Sequence, residues 1–108
     1  MNPEQQRIAI AEACGWTECQ LIKGYDGKLV PYGFAPNESP ILKETPDYLS
    51  DLNAMHHAEN YCLHNLLLWA KYRHLLLLIT SNVSGVPESA TAAQRAEAFL
   101  KTLSLWEK

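Results

Sequence analysis

The sequence has no apolar run of about 20 residues, the length a helix needs to cross a bilayer. Its most apolar region, residues 63–79, is interrupted by His64, Asn65, Lys71, Arg73 and His74, so no contact with a membrane is expected. The opening Asn2-Pro3-Glu4-Gln5-Gln6 is not a basic start followed by an apolar stretch, and a cytoplasmic protein without a secretory leader is the expectation. Cysteine is scarce. Cys14, Cys19 and Cys62 are an odd number with no C-x-x-C spacing, which argues against a zinc ribbon or a disulfide framework and for reduced thiols. Cys14 and Cys62 fall on apolar helix faces and read as small buried hydrophobes. Cationic residues are few and scattered: nine Lys and Arg stand against twelve Asp and Glu, a net charge of −3. General nucleic-acid binding needs a continuous cationic surface and is disfavoured. A small anionic ligand needs only two or three cations brought together by folding.

Catalytic motifs are missing as well. Ser50, Ser81, Ser84 and Ser89 lie in no G-x-S-x-G elbow, and there is no Walker loop or G-x-G-x-x-G fingerprint. His56, His57, His64 and His74 do not form H-E-x-x-H. On one continuous helix His57 and His64 would stand about 10 Å apart along the axis, too far to share a metal unaided. Hydrogen-bonded or solvated histidines are the plainer reading, and neither a metal nor a cofactor is expected. The nearest carboxylate pair, Asp47 and Asp51, is explained by favourable charge at a helix start. The expectation is a protein that is not an enzyme.

What is present suits a folded domain. Apolar residues make up 47% of the 108 and charged residues 19%, enough buried surface for one core and too short a chain for two. Residues 1–108 are read as a single domain. Asn2, Pro3 and Gln5 have the form of an N-cap, a first-turn proline and a capping box, and Gly15 supplies a stop, which predicts a helix over 3–14. Residues 16–23 and 28–34 flank the turn signal Gly24-Tyr25-Asp26-Gly27 and predict a β-hairpin whose second strand, holding Pro31, lies at an edge or stops early. Residues 35–45 read as a surface loop.

Ser50 then caps a helix in which Leu52, Met55, Ala58, Cys62, Leu66 and Trp69 recur at three or four. That pattern runs to Leu78 as one long helix or breaks near 62–65 into a helical hairpin. Residues 75–80 suit helix or strand, with leucine favouring helix. Residues 81–87 form a loop. Thr91 and Gln94 make a second capping box for a last helix over 92–105, with Ala92, Ala96, Phe99, Leu100, Leu103 and Trp106 inward and Glu97 paired with Lys101 outside. The fold class is α+β: three to four helices packed with a β-hairpin.

The candidate binding residues are Tyr25, Tyr48, Asp51, Asn53, Arg73 and Arg95. Asp51 and Asn53 can anchor a ligand, although helix starts favour both residue types anyway. Arg95 offers planar, bidentate recognition of phosphate or carboxylate, in competition with an internal ion pair to Asp47, Asp51 or Glu97. Lys71-Tyr72-Arg73-His74 is the densest cationic stretch, and Tyr25, Tyr32, Tyr48 and Tyr72 are available to stack on a base. The alternative for that stretch is a solvated helix face. Residues 24–46 are the least explained by core formation and have the character of a binding loop.

Three blocks carry a resemblance: Pro3-Glu4-Gln5-Gln6-Arg7-Ile8-Ala9-Ile10-Ala11-Glu12-Ala13-Cys14-Gly15-Trp16, the string from Pro46-Asp47-Tyr48-Leu49 through Asp51-Leu52-Asn53-Ala54-Met55-His56, and Ala90-Thr91-Ala92-Ala93-Gln94-Arg95-Ala96-Glu97-Ala98-Phe99. Together they resemble the phage ABA sandwich domain family of small bacteriophage and prophage proteins. Where relatives often have a strand leading into the final helix, Val83-Ser84-Gly85-Val86-Pro87 reads here as a loop. The resemblance implies a phage accessory protein working inside a bacterial host cell, and no activity of individual residues. The functional expectation is an anti-defence sponge, a homo-oligomer that sequesters a host cyclic nucleotide signal. The alternative is a phage protein that blocks a host protein through its 24–46 hairpin and loop.

Overall fold

The computed structural model describes residues 1–36, 41–80 and 90–106. Seven elements follow one another: α1 (Pro3–Ala13), β1 (Thr17–Lys23), β2 (Leu29–Phe34), β3 (Leu42–Glu44), α2 (Leu52–Cys62), α3 (Leu66–Thr80) and α4 (Ala92–Thr102). The α+β class expected from the sequence is the one observed. Both capping boxes form: Asn2 and Gln5 bond reciprocally at the start of α1, as do Thr91 and Gln94 at the start of α4, each satisfying two orphan donors of a helix end. The expected loop over 81–87 lies outside the described residues.

The sheet is antiparallel in the order β1-β2-β3, which corrects two expectations. Part of the 35–45 loop is a third strand, and β2, with its proline, is the central strand rather than an edge. Pro31 is tolerated because of where its missing N–H would point. Thr45 donates its backbone N–H to the Pro31 carbonyl at 3.1 Å, so Pro31 faces the end of β3, where the return bond to the Thr45 carbonyl has no donor. Arg7 of α1 supplies one, its Nη2 lying 2.6 Å from that carbonyl. The same guanidinium donates from Nε to the Pro46 carbonyl at 3.3 Å and pairs with Glu44 at 3.2 Å.

Helix α1 packs on β1 and β2 and also touches α2 and α4, while α4 packs against α1, α2 and α3. Helix α4 is therefore enclosed on several sides, and Ala98 and Thr102 are buried together with the expected Ala92, Ala96, Phe99 and Leu100. Met55 and Ala58 of α2, Ile10 and Ala11 of α1, and Tyr72 and Leu76 of α3 join it in the core, with Cys14, Trp16, Tyr48, Leu63 and Ala90 from the segments between helices and strands. The long helix divides at Leu63, the C-cap of α2, and the Asn65 side chain accepts the Leu67 N–H at 2.8 Å as α3 begins. The break shifts the helical phase, so Leu66, expected in the core, is 82% exposed. Residues 75–80 continue α3 as helix. Asp51 rather than Ser50 caps α2, accepting from Asn53 and Ala54; Ser50 instead closes the preceding turn onto the Asp47 carbonyl.

Candidate functional site

The end of α1, the sheet and α2 enclose a cleft of about 520 Å³, within the range typical of small-molecule sites. Its position follows from Gly15. With φ +96°, this residue turns the chain out of α1, and a Cβ there would meet Pro36 Cβ and Tyr61 Oη at 3.1 Å; only glycine fits both demands. The turn sets Trp16 at the cleft beside Cys14, the C-cap of α1. Lys43 of β3 lies on the same cleft with its Nζ 6.0 Å from the Trp16 ring centroid, within cation–π range. From α2, Ala54, His57 and Tyr61 stand at i, i+3 and i+7 on one face and form the opposite side. Pro46 and Tyr48 complete it, held by the bonds of Arg7 to Thr45 and Pro46.

The buried side of the cleft carries a chain of weakly acidic groups. Tyr48 and Cys14 both line the cleft, the Cys14 and Cys62 sulfurs are 3.9 Å apart, and the Cys62 thiol donates to the Ala13 carbonyl at 3.3 Å. Donation to Cys62, reinforced by burial, holds the Cys14 thiol protonated far above its ordinary range. The same bond lowers the pKa of Cys62. Burial, with the charge of Cys14 adding to it, raises the Tyr48 phenol well above its ordinary range. Cys14 thus meets the cleft as a neutral thiol rather than a nucleophile. Aromatic rings, one lysine, one histidine and neutral hydroxyl and thiol groups suit holding a flat ring that carries an anionic group.

A second polar cluster lies in the core. Glu59 of α2 is buried, and its carboxylate is met by Arg95 Nη1 at 3.0 Å, by the Tyr72 hydroxyl and by His56 Nδ1 at 2.6 Å. Burial first, and donation to Glu59 second, keep the Tyr72 phenol protonated far above its ordinary range. This cluster joins α2, α3 and α4.

The expected site residues are not brought together. Of the six, Tyr48 alone lines the cleft. Tyr25 is fully exposed at the hairpin turn and borders a separate hollow of about 390 Å³ with Lys23 and Tyr32. Asp51 is occupied as the α2 cap and Asn53 is exposed in the first turn of that helix. Arg95 takes the internal ion pair, with Glu59 rather than Asp47, Asp51 or Glu97; Glu97 pairs with Lys101 at 2.7 Å as expected. The Lys71-Tyr72-Arg73-His74 stretch is divided by helical geometry: Tyr72 is buried on Glu59 and so removed from the stacking set, while Lys71, Arg73 and His74 face outward on α3. Nothing in the sequence links Trp16, Lys43 and Tyr61, which come from three distant segments with no shared motif.

Comparison of the chain with protein-family models, curated proteins and solved structures finds no match.

Proposed function

We propose that this chain is a non-catalytic binding protein that holds a nucleotide in the cleft between α1, the sheet and α2. The observation that carries the reading is the convergence of Trp16, Tyr48 and Tyr61 with Lys43 on one cavity. A base stacks on the Trp16 side, Lys43 meets a phosphate, and His57 and the Tyr48 hydroxyl side of the cleft offer polar contacts. Together with the resemblance to phage ABA sandwich proteins, the specific reading is a phage anti-defence sponge that withdraws a host cyclic nucleotide signal and releases it unchanged.

Titration of cyclic mono- and dinucleotides against the protein, read by tryptophan fluorescence and calorimetry, tests it. Micromolar binding is expected, weakened about five- to thirtyfold by Trp16→Ala or Lys43→Ala, since one lost cation–π or phosphate contact amounts to about 1–2 kcal/mol. Equal affinity in both variants and the parent would overturn the site assignment. Chromatography of the ligand after incubation distinguishes storage, which returns it intact, from hydrolysis.

A second reading draws on the hairpin. Leu21, Tyr25, Leu29, Ile41 and Leu42 are exposed apolar side chains on or beside the sheet, and such a group fits a host-protein contact. Replacing Tyr25 and Ile41 with serine abolishes complex formation in that case and leaves nucleotide binding intact.

A further inference from the structure

Cys14 and Cys62 are 48 residues apart in the chain, and the fold brings their sulfurs to 3.9 Å. Both are free thiols. A disulfide holds its sulfurs about 2.05 Å apart, so a closure of about 2 Å would join them. Each cysteine stands where a helix stops. Cys14 is the C-cap of α1 and is followed by Gly15 at positive φ; Cys62 is the last residue of α2 and is followed by the Leu63 cap. Helix ends are held by fewer hydrogen bonds than helix interiors and adjust more readily. The two ends already touch, since Cys62 Sγ lies 3.3 Å from the carbonyl of Ala13, the residue before Cys14.

We propose that Cys14 and Cys62 are an oxidation site, a thiol pair that hydrogen peroxide converts to an intramolecular disulfide and a thiol reductant reopens. Cys62 is the half-buried member and Cys14 the buried one, so peroxide meets Cys62 first. A helix C-terminus opposes a thiolate, and the S–H of Cys14 donated to Cys62 is what favours the charged form there. The Cys62 thiolate attacks one peroxide oxygen, the O–O bond breaks, hydroxide leaves, and Cys62 becomes a sulfenic acid. The Cys14 sulfur then attacks the Cys62 sulfur. The S–O bond breaks, and the Cys14 proton departs with the hydroxyl as water. The pair has given two electrons to the peroxide and gained one S–S bond. In a reducing compartment the pair rests as thiols and closes only under oxidant, which is how disulfides are commonly used there. The link ties the end of α1 to the end of α2 beside the cleft that Cys14 and Tyr61 line. It goes beyond the nucleotide reading and does not depend on it.

Treatment of the reduced full chain with a small molar excess of hydrogen peroxide, then denaturation and alkylation with iodoacetamide, tests it. Before alkylation the product should be a single chain lighter by two hydrogen atoms. Alkylation should then modify one cysteine in place of three, and proteolysis without reductant should release the Cys14 and Cys62 peptides as one linked species. Dithiothreitol should restore all three thiols. A link across 48 residues restricts the unfolded chain, so the oxidised protein should melt about 5 °C or more above the reduced one. Cys19→Ser leaves the pair intact and should behave as the parent. In Cys14→Ser the sulfenic acid of Cys62 has no resolving thiol and should be trapped by dimedone. Three alkylatable thiols after peroxide, a link that includes Cys19, or links formed only between chains would each overturn the proposal. Peptide mapping of the parent decides among these even where Cys14→Ser fails to fold.

Discussion

Arg95 Nη1 lies 3.0 Å from Glu59 Oε2, and the two side chains are only 12% and 3% exposed. The pair fastens α4 to α2, and Tyr72 brings α3 onto the same carboxylate. Removing Arg95 leaves the buried Glu59 carboxylate with only the Tyr72 hydroxyl and His56, and breaking a buried pair typically costs about 3–5 kcal/mol. Arg95→Met is therefore expected to lower the unfolding free energy in urea by about that amount. Glu59→Leu/Arg95→Met should recover part of the loss, because both charges go together while the buried Tyr72 hydroxyl loses its acceptor.

Arg7 has a different task. Its Nη2 occupies the carbonyl of Thr45 that Pro31 leaves without a donor. Arg7→Met exposes that deficit and frees β3, with an expected loss of about 1–3 kcal/mol. Hydrogen exchange at residues 42–45 should accelerate more than in α4.

Thr45 offers the converse case, since its Oγ1 is buried with no hydrogen-bond partner among the described residues. Thr45→Val removes an unsatisfied hydroxyl at nearly constant shape. Thermal unfolding should show equal or higher stability, by up to about 1–3 kcal/mol.

Alkaline stability follows from the raised acids. Cys14, Tyr48 and Tyr72 keep their protons in the folded chain, mainly through donation to Cys62 for the thiol and burial for the phenols. Unfolded, they release them near 9.0 for the thiol and 10.0 for the phenols. The folded state then binds more protons, so their contribution is complete below pH 9 and is lost as pH rises above it. Cys62, lowered by Cys14, acts in the opposite sense. Unfolding free energy measured from pH 7 to 11 should decline from about pH 9, less steeply in Tyr72→Phe. In the folded protein, iodoacetamide at pH 8 should label Cys62 ahead of Cys14, as read by peptide mass spectrometry.

Local chemistry made the helices and the hairpin legible. Asn2 with Gln5 and Thr91 with Gln94 announce helix starts through bonds only three residues long, and the turn at 24–28 closes with Gly24 N–H on the Lys28 carbonyl and Gly27 at positive φ. Long-range compensation was not legible. Pro31 reads as an edge residue until Arg7, far away in sequence, is seen to replace its donor. The Ser50 hydroxyl and the Asp51 carboxylate are both good caps, and only the turn before α2 selects Asp51. Leu66 belongs to the inner stripe of one long helix and leaves it once the chain breaks at Leu63. The cleft is the extreme case, since Trp16, Lys43, Tyr48 and Tyr61 meet only through the packing of α1, β3 and α2. For Arg95 the sequence leaves open a ligand or an internal ion pair, and nothing in it marks Glu59, buried in mid-helix, as the partner.

The central claim is that the cleft retains a nucleotide intact. Native mass spectrometry of the protein purified from phage-challenged cells, followed by chromatography of what denaturation releases, tests it most directly. An unmodified nucleotide in fixed ratio to the chain, absent from Trp16→Ala prepared in parallel, is the predicted result. Protein that emerges empty, or nucleotide retained equally by Trp16→Ala, would contradict the account.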